Sequence, residues 1–273
     1  MERADFVFFD SGTGGIPYML ALKKKLPAAT CVYLGDTKNF PYGEKTSEQV
    51  TECASSAVRL IVEKWNPRTL VIACNTISVT ALASLRRKFP SLPIVGTVPA
   101  IKLGAKVSKN KRIGFLATNA TVNNPYSQKL IDDFASDCEV FKRGDPDLVA
   151  FIEHDFFEST ESQKEEAVRP AVDFFKKNGC DTIILSCTHF THIAETMQRV
   201  AGKDVMVIDS RDGVTRQALL VLEQNRKDDK KEQCECSDDI DYPFFVTAAT
   251  KEQEEEYRKL CMNCGIQYGG IVS

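Results

Sequence analysis

Short apolar runs alternate along the chain with amphipathic stretches, and this alternation predicts the secondary structure. The runs are rich in Val, Ile, Leu and Phe and lack polar alternation, which is typical of parallel strands covered on both faces. The predicted strands are 5–9, 31–34, 69–73, 94–96, 112–117, 138–141, 181–186, 205–208 and 243–247. Because the intervening stretches have helical character, the whole pattern favours an α/β fold.

Two of the intervening stretches carry clear helix signals. Residues 47–65 have apolar side chains at steps of three and four, as in an amphipathic helix. Thr46 and Gln49, at the start of this stretch, have the spacing of a capping box. Residues 162–177 repeat the apolar pattern, although Pro170 lies inside it. Since proline removes a backbone donor, a kink or a later start is expected there.

A weak internal repeat indicates two similar lobes. The apolar run that ends in Cys74 resembles the later run that ends in Cys187, and polar residues follow each thiol. We expect a first lobe of residues 1–97 together with 211–273, and a second lobe of residues 98–210. Each lobe is predicted to be a mostly parallel sheet flanked by helices, with the active site in the cleft between the lobes.

Composition narrows the class of protein. The chain has 273 residues, with 35 Lys and Arg against 38 Asp and Glu, so no basic excess is available for nucleic-acid binding. No apolar run approaches the roughly 18 residues that a membrane span needs. The acidic, short N-terminal stretch does not resemble a signal peptide, so we expect a cytoplasmic protein.

The ten cysteines are expected to be mostly reduced thiols, because the chain is long and lacks an export signal. Cys234-x-Cys236 and Cys261-x-x-Cys264 together have four possible zinc ligands. However, Cys-x-Cys on a charged stretch is a poor zinc knuckle, and 226–242 is more simply a solvated loop. No metal site is therefore predicted.

Candidate chemistry lies after the predicted strands, because ligands bind at the carboxyl ends of strands in open α/β sheets. Small hydroxyl, amide and glycine groups dominate there. The positions are Asp10, Ser11, Gly12, Thr13, Gly14, Gly15, Asp36, Pro41, Tyr42, Gly43, Cys74, Asn75, Thr76, Thr118, Thr121, Cys187, Thr188 and His189. Such a set suits a small zwitterionic or anionic ligand and lacks the Lys and Arg cluster expected for a polyphosphate.

The glycine-rich segment from Gly12 to Gly15 does not match a dinucleotide or P-loop fingerprint. It is either a tight strand-to-helix turn or a cradle whose backbone N–H groups hold a carboxylate at a helix start. No nicotinamide, flavin or pyridoxal cofactor is predicted.

The two thiols in matching positions of the repeat are the strongest chemical signal. A single Cys after a strand is usually a packed core residue, but two facing each other across a cleft have a different use. With an ordinary pKa near 8.5, one thiolate can remove a proton from a carbon while the opposite thiol returns one.

Asp10 and His189 are either structural polar groups or partners of the thiols. As partners, a protonated His189 would favour a thiolate at Cys187. An ionised Asp10 would disfavour a thiolate at Cys74, so the two sides would be tuned differently. His154 and His192 have no comparable catalytic partner in the sequence and are expected to be surface or core residues.

These segments together resemble the glutamate racemases of the cofactor-independent aspartate/glutamate racemase superfamily. The matching segments are Phe9 to Gly15, Tyr33 to Thr37, Pro41 to Gly43, Ala73 to Thr76, Val98 to Lys102, Cys187 to His189, Ile208 to Ser210 and Phe244 to Thr247. They occur in the family's order. Each is weak alone, and their combination is specific.

The resemblance implies interconversion of L- and D-glutamate without a cofactor, which supplies D-glutamate for peptidoglycan, by a protein that is commonly a homodimer. It implies catalytic roles for Cys74, Cys187, Asp10 and His189. It implies substrate contacts from Asp10, Ser11, Pro41, Tyr42, Gly43, Asn75, Thr76, Thr118, Thr121, Thr188 and His189. The resemblance assigns no role to Glu153.

Three alternatives stay open at this point. The first is a racemase for aspartate or another small amino acid. The second is an amino-acid-binding or regulatory partner protein without turnover, although binding alone requires neither thiol. The third is a zinc or redox protein that uses the four later cysteines.

Overall fold

A computed structural model of the protein describes residues 3–228 and 243–273. The strands are β1 (Phe6–Asp10), β2 (Cys31–Gly35), β3 (Thr69–Ile72), β4 (Ile94–Gly96), β5 (Arg112–Ala117), β6 (Glu139–Gly144), β7 (Thr182–Ser186), β8 (Met206–Ile208), β9 (Pro243–Val246) and β10 (Gln267–Ile271). Each of the nine strands predicted from the apolar runs is present. The last strand, β10, was not predicted.

Helices follow most of the strands. They are α1 (Ile16–Lys25), α2 (Ser47–Trp65), α3 (Asn75–Lys88), α4 (Ile101–Val107), α5 (Asn119–Val122), α6 (Pro125–Phe134), α7 (Pro146–His154), α8 (Glu161–Lys177), α9 (Ala194–Ala201), α10 (Arg211–Asp228) and α11 (Lys251–Cys264). Short 3-10 turns occur at Thr37–Asn39, Tyr42–Glu44 and His189–Thr191. In the part of the chain that the structure describes, no helix is long and apolar enough to cross a membrane.

The described strands form two parallel sheets. One has the order β10-β9-β2-β1-β3-β4 and the other has the order β6-β5-β7-β8. Every described pair of neighbouring strands is parallel. The prediction of two mostly parallel sheets flanked by helices is therefore confirmed.

The second sheet repeats the strand order of part of the first. The order β2-β1-β3-β4 in one sheet corresponds to β6-β5-β7-β8 in the other, so β3 and β7 hold equivalent places. Cys74 and Cys187 follow these two strands. The residue boundaries of the two lobes, 1–97 with 211–273 and 98–210, stay a prediction.

Both faces of the central strands are packed, which explains the absence of polar alternation in them. In β1, Phe6 and Phe8 pack into one cluster of buried side chains and Val7 and Phe9 into another. In the other sheet, Ile184 likewise belongs to a different cluster from its neighbours in β7. Burial on both faces stabilises the sheets through the hydrophobic effect and holds the strand ends rigidly.

The helix ends agree with local sequence chemistry. Thr46 and Gln49 form the predicted capping box of α2. α8 begins one residue earlier than predicted, because Thr160 and Gln163 form a second capping box. Pro170 lies inside α8 without ending it. Its position is exposed, so water can bond the carbonyl that loses its backbone donor.

The C-terminal part of the chain returns to the first sheet. α10 packs against α1 and β4, and β9 pairs with β2. β10 then extends the same sheet edge beside β9. Most of the predicted loop 226–242 lies outside the described residues, and α10 extends into its beginning.

A pair of glycine substitutions tests the packing of the second sheet. The Cβ of Ala in Gly114→Ala would lie 2.5 Å from Cδ1 of the buried Phe175 ring. We expect the free energy of unfolding to fall by about 1–3 kcal/mol, as for other overpacked cores. The control is Gly213→Ala in α10, where a Cβ meets no atom of the described residues within 4 Å.

Because alanine favours a helix over glycine, Gly213→Ala should raise the free energy of unfolding by up to about 1 kcal/mol. Urea unfolding monitored by circular dichroism measures both effects. Equal shifts of the two variants in one direction would contradict the close contact at Gly114.

Candidate active site

The carboxyl ends of strands from both sheets meet around a small cavity of about 70 Å³. Of the residues that the resemblance implies as catalytic or substrate-binding, all but Thr121 line it, and Thr121 bonds the hydroxyls of Thr76 and Thr118. The lining members of the predicted set are Asp10, Ser11, Pro41, Tyr42, Gly43, Cys74, Asn75, Thr76, Thr118, Cys187, Thr188 and His189. Phe40, Glu44, Asn119, Pro146, Val149 and Ala150 complete the wall and were not predicted. Among the described residues, no Lys or Arg lines this cavity.

Cys74 connects β3 to α3 and is buried, with 5% of its surface exposed. Burial raises the pKa of its thiol well above the ordinary value, and the negative charge of Asp10 adds to the rise. The backbone N–H of Ile77 opposes this rise, because it bonds the sulfur. This side of the cavity therefore favours the protonated thiol.

Asp10 ends β1 and is fully buried beside Cys74. Its Oδ1 accepts hydrogen bonds from the backbone N–H of Ser11 at 2.6 Å and from the Ser11 hydroxyl at 3.2 Å. Its Oδ2 accepts from the Thr188 hydroxyl at 2.8 Å. Burial raises the pKa of Asp10, while the charge of His189 and these hydrogen bonds oppose the rise.

Cys187 follows β7 of the other sheet and is 4% exposed. Its Sγ lies 3.7 Å from Nδ1 of His189, whose Nε2 lies 2.8 Å from Oε2 of Glu153. Burial by itself lowers the pKa of His189, but the Cys187 and Glu153 groups outweigh it and hold the pKa well above its ordinary value. This thiol therefore faces an imidazolium, whereas Cys74 faces a carboxylate.

Glu153, in α7, is the main functional candidate that the sequence analysis left unassigned. Its side chain is only 2% exposed, and Oε2 accepts from the backbone N–H of Thr13 at 3.0 Å and from the Thr13 hydroxyl at 2.6 Å. Burial raises the pKa of Glu153, but the bonds from His189 and Thr13 outweigh it and lower the pKa. The charged pair of Glu153 and His189 is thus stable inside the protein.

The glycine-rich segment after β1 does hold a carboxylate with a backbone N–H, but that carboxylate is the protein's own Glu153. Glycine is required for this approach. A Cβ on Gly12 would lie 2.7 Å from Oε1 of Glu153, and one on Gly14 would lie 2.5 Å from Nδ1 of His189. Side chains at these two positions would push the pair away.

A buried tyrosine holds the same segment in place. The Tyr33 hydroxyl accepts from the Gly15 N–H at 2.9 Å and donates to the Gly12 carbonyl at 3.0 Å. The Tyr33 hydroxyl therefore acts both as donor and as acceptor, and the glycine-rich segment is fixed against β2. This contact positions Thr13 for its bonds to Glu153.

Hydroxyl and amide groups from both lobes form the rest of the wall. The Thr76 hydroxyl lies 3.0 Å from that of Thr118 and 3.3 Å from that of Thr121. Asn75 is buried, and neither its Oδ1 nor its Nδ2 has a partner among the described residues. Because buried amides are normally hydrogen-bonded, Asn75 has free donors and an acceptor for a ligand.

Tyr42 is held in the cavity wall by a buried carboxylate. Its hydroxyl donates to Oδ2 of Asp36 at 2.6 Å, and Oδ1 of Asp36 accepts from the Thr247 hydroxyl at 2.7 Å. Burial and the charge of Asp36 raise the pKa of Tyr42 above its ordinary value. The phenol therefore stays neutral, and it shapes the cavity beside Gly43.

The described residues contain no group of three or more His, Cys, Asp or Glu side chains that could hold a metal ion. Cys261 and Cys264 lie at the end of α11, and Cys261 is buried in the core of the first sheet. Cys234 and Cys236, the other two cysteines of that alternative, lie outside the described residues.

Comparisons with known proteins agree with this architecture. Residues 19–218 match the family described as Asp/Glu/Hydantoin racemase. The glutamate racemase of Treponema pallidum (strain Nichols) is 39% identical over 218 residues, which cover 80% of this chain and 81% of that protein. The glutamate racemase of Proteus mirabilis (strain HI4320) is 39% identical over 226 residues, with coverage of 82% and 78%.

A solved structure extends the similarity to the whole chain. The glutamate racemase of Escherichia coli, solved with L-glutamate and the activator UDP-MurNAc-ala, superposes with a TM-score of 0.83. The two chains are 28% identical, with coverage of 99% of this chain and 98% of the other. The chain belongs to the Asp/Glu/Hydantoin racemase family, and the predicted enzyme class, an isomerase, is confirmed.

Proposed function

We propose that this protein is a glutamate racemase that moves a proton at Cα between two cysteines. The observation that carries the proposal is the placement of Cys74 and Cys187 at equivalent ends of β3 and β7, on one cavity. Relatives named glutamate racemases, one of them solved with L-glutamate, support the choice of substrate. This favours glutamate over aspartate or another small amino acid.

In the proposed reaction, one thiolate removes the Cα proton from one face of the amino acid. The electron pair left on Cα is delocalised into the α-carboxylate, and the opposite thiol gives its proton to the other face. The first sulfur is then a thiol and the second a thiolate, so the reverse reaction uses the same groups in exchanged roles. No cofactor takes part.

Asp10 and His189 adjust the two thiols in opposite directions. The imidazolium of His189, held by Glu153, favours a thiolate at Cys187 because opposite charges attract. The carboxylate of Asp10 disfavours a thiolate at Cys74. Together they favour the state with one thiolate and one thiol. With the thiolate at Cys187 this state starts one direction, and the reverse direction starts after the proton has exchanged between the two sulfurs.

Mostly neutral groups hold the substrate in this proposal, together with the carboxylate of Asp10 and the imidazolium of His189. Asn75 brings a buried amide with no other partner among the described residues, and the N–H and O–H groups around the cavity bind the carboxylates. The carboxylate of Asp10 faces the ammonium group. The proposed contacts are Asp10, Ser11, Pro41, Tyr42, Gly43, Asn75, Thr76, Thr118, Thr188 and His189, with Thr121 supporting the Thr76 and Thr118 hydroxyls.

The biological setting follows from the product. D-glutamate is proposed to serve peptidoglycan synthesis in the cytoplasm. A homodimer is proposed from the resemblance to the family. Size-exclusion chromatography with light scattering tests the assembly separately from the chemistry.

Replacement of either catalytic thiol tests the mechanism directly. We expect Cys74→Ala and Cys187→Ala each to reduce racemisation in both directions by at least about a hundredfold, because each direction needs one acid and one base. Chiral chromatography of L- and D-glutamate measures this. The matched control is Cys180→Ala, another buried thiol, which lies outside the cavity and should retain activity.

Circular dichroism checks that the three variants are folded. Wild-type turnover in Cys74→Ala or Cys187→Ala would reject the two-thiol mechanism. If the wild-type protein racemised aspartate faster than glutamate, the proposal of glutamate as the substrate would be rejected. The two-thiol mechanism would not be affected.

Isotope exchange distinguishes two bases from one. When L-glutamate is racemised in deuterium oxide and sampled early, the D-glutamate formed should carry deuterium at Cα. The donor thiol has already exchanged with solvent, whereas return to L-glutamate uses the hydrogen just removed. Mass spectrometry of the separated enantiomers measures the label. Equal early labelling of both enantiomers would indicate a single base.

The pH dependence should reflect both thiols. Since the equilibrium constant of racemisation is one, kcat/KM must have the same bell-shaped profile for both enantiomers. Activity needs one thiol protonated, so it should fall at high pH as the second thiol ionises. Burial and Asp10 raise the pKa of Cys74 well above 9.0, and this alkaline limb of the profile should therefore lie above about pH 9. In Asp10→Asn that limb should move to lower pH, because a charge that raises the pKa is gone. An unmoved limb would contradict the role of Asp10.

A further inference from the structure

His192 is a histidine near the active site that the proposed mechanism does not use. It directly follows the 3-10 turn His189–Thr191, and its backbone N–H donates to the His189 carbonyl at 3.0 Å. From the sequence, His192 was expected to be a surface or core residue. The structure shows a more specific arrangement.

The imidazole of His192 faces the segment that binds Glu153. Its Nε2 lies 3.3 Å from the carbonyl oxygen of Thr13. Because a carbonyl only accepts hydrogen bonds, Nε2 carries the hydrogen and donates it. The rings of Phe156 and Phe157 pack around the imidazole, with centroids 6.1 Å and 5.5 Å away.

Thr13 links this imidazole to the catalytic side of Cys187. On one side its carbonyl accepts from His192 and from the backbone N–H of Ile16 at 3.1 Å. On the other side its N–H and hydroxyl donate to Oε2 of Glu153. That same oxygen accepts from Nε2 of His189. One continuous chain of hydrogen bonds therefore runs from His192 to His189.

We propose that His192 is a positioning residue that orients Thr13, and through Thr13 the pair of Glu153 and His189 that serves Cys187. The proposal rests on the proposed function, in which the imidazolium of His189 favours the Cys187 thiolate. His192 touches neither the cavity nor the thiols, so its effect is indirect.

The charges around His192 suit a neutral donor. Burial lowers its pKa to about 4, and the positive charges of His189 and Arg211 lower it as well. The Thr13 carbonyl and Glu153 oppose this lowering. His192 is therefore uncharged near neutral pH, and it holds Thr13 without a second cation that would compete with His189 for Glu153.

The protonation state can be measured in the unaltered protein. The chain contains three histidines, so their ring signals are separable by ¹⁵N and ¹H NMR after assignment with single variants. We expect His192 to keep a hydrogen on Nε2 and to stay neutral down to about pH 5. A hydrogen on Nδ1, or protonation near the ordinary pKa of about 6.5, would overturn the proposal.

Two substitutions separate positioning from packing. His192→Leu keeps apolar contact with Phe156 and Phe157 but cannot donate to Thr13. Loss of one such hydrogen bond should lower kcat about three- to tenfold. The acid limb of kcat/KM should move to higher pH, because a less firmly held Glu153 supports the imidazolium of His189 less.

His192→Gln keeps an amide donor at a length similar to that of Nε2 and should restore the acid limb to near its wild-type position. If His192 only fills space, the Leu variant should match the wild type and the Gln variant should be worse, which would overturn the proposal. His154→Leu is the matched control, since that ring contacts Phe40 and has no bond to Thr13. It should leave the acid limb in place.

A third readout does not depend on turnover. The pKa of His189, followed by NMR, should fall in His192→Leu, because a loosened Glu153 supports the imidazolium less. An unchanged pKa of His189 in a folded His192→Leu protein would overturn the positioning role. If the wild-type protein racemises no amino acid, the proposed function fails, and the pKa of His189 still decides whether His192 positions the pair.

Discussion

The burial of two carboxylates beside two thiols is the constraint on which the active site depends. A buried carboxylate is costly unless hydrogen bonds compensate for the lost water. Asp10, at the end of β1, needs the hydroxyl of Thr188 from the other sheet. Glu153, in α7, needs Thr13 from the segment after β1. Each carboxylate is therefore satisfied across the cleft, and the same bonds fix the two sheets relative to each other.

The repeated strand order gives the two thiols equivalent positions in their sheets. The charged side chains beside the two thiols are nevertheless of opposite sign. Cys74 and Cys187 occupy equivalent places after β3 and β7. The first thiol lies beside the carboxylate of Asp10, whereas the second lies beside the imidazolium of His189. In the proposed reaction this difference favours a single thiolate. Two equal environments would populate the doubly protonated and doubly ionised states more, and neither of these can transfer a proton.

Local patterns account for most of the fold. The central strands have contiguous apolar runs because both of their faces are covered, and residues 47–65 carry a capping box at the start of their helix. The strand β10, with the sequence Gln-Tyr-Gly-Gly-Ile, was missed because it lies at the sheet edge, is partly exposed and contains two glycines. No apolar run marks such a strand, since only its pairing with β9 defines it.

The sequence by itself determined which groups end the strands, including the two thiols and the small polar residues that line the cavity. A residue at the end of a parallel strand is placed by its own strand, so local pattern is sufficient. Tertiary structure alone decided the partners of Glu153 and His192. Thr13 lies 140 positions from Glu153 and 179 from His192, and no local pattern encodes such pairings. They exist because packing of the two sheets brings α7 and the turn after β7 against the segment after β1.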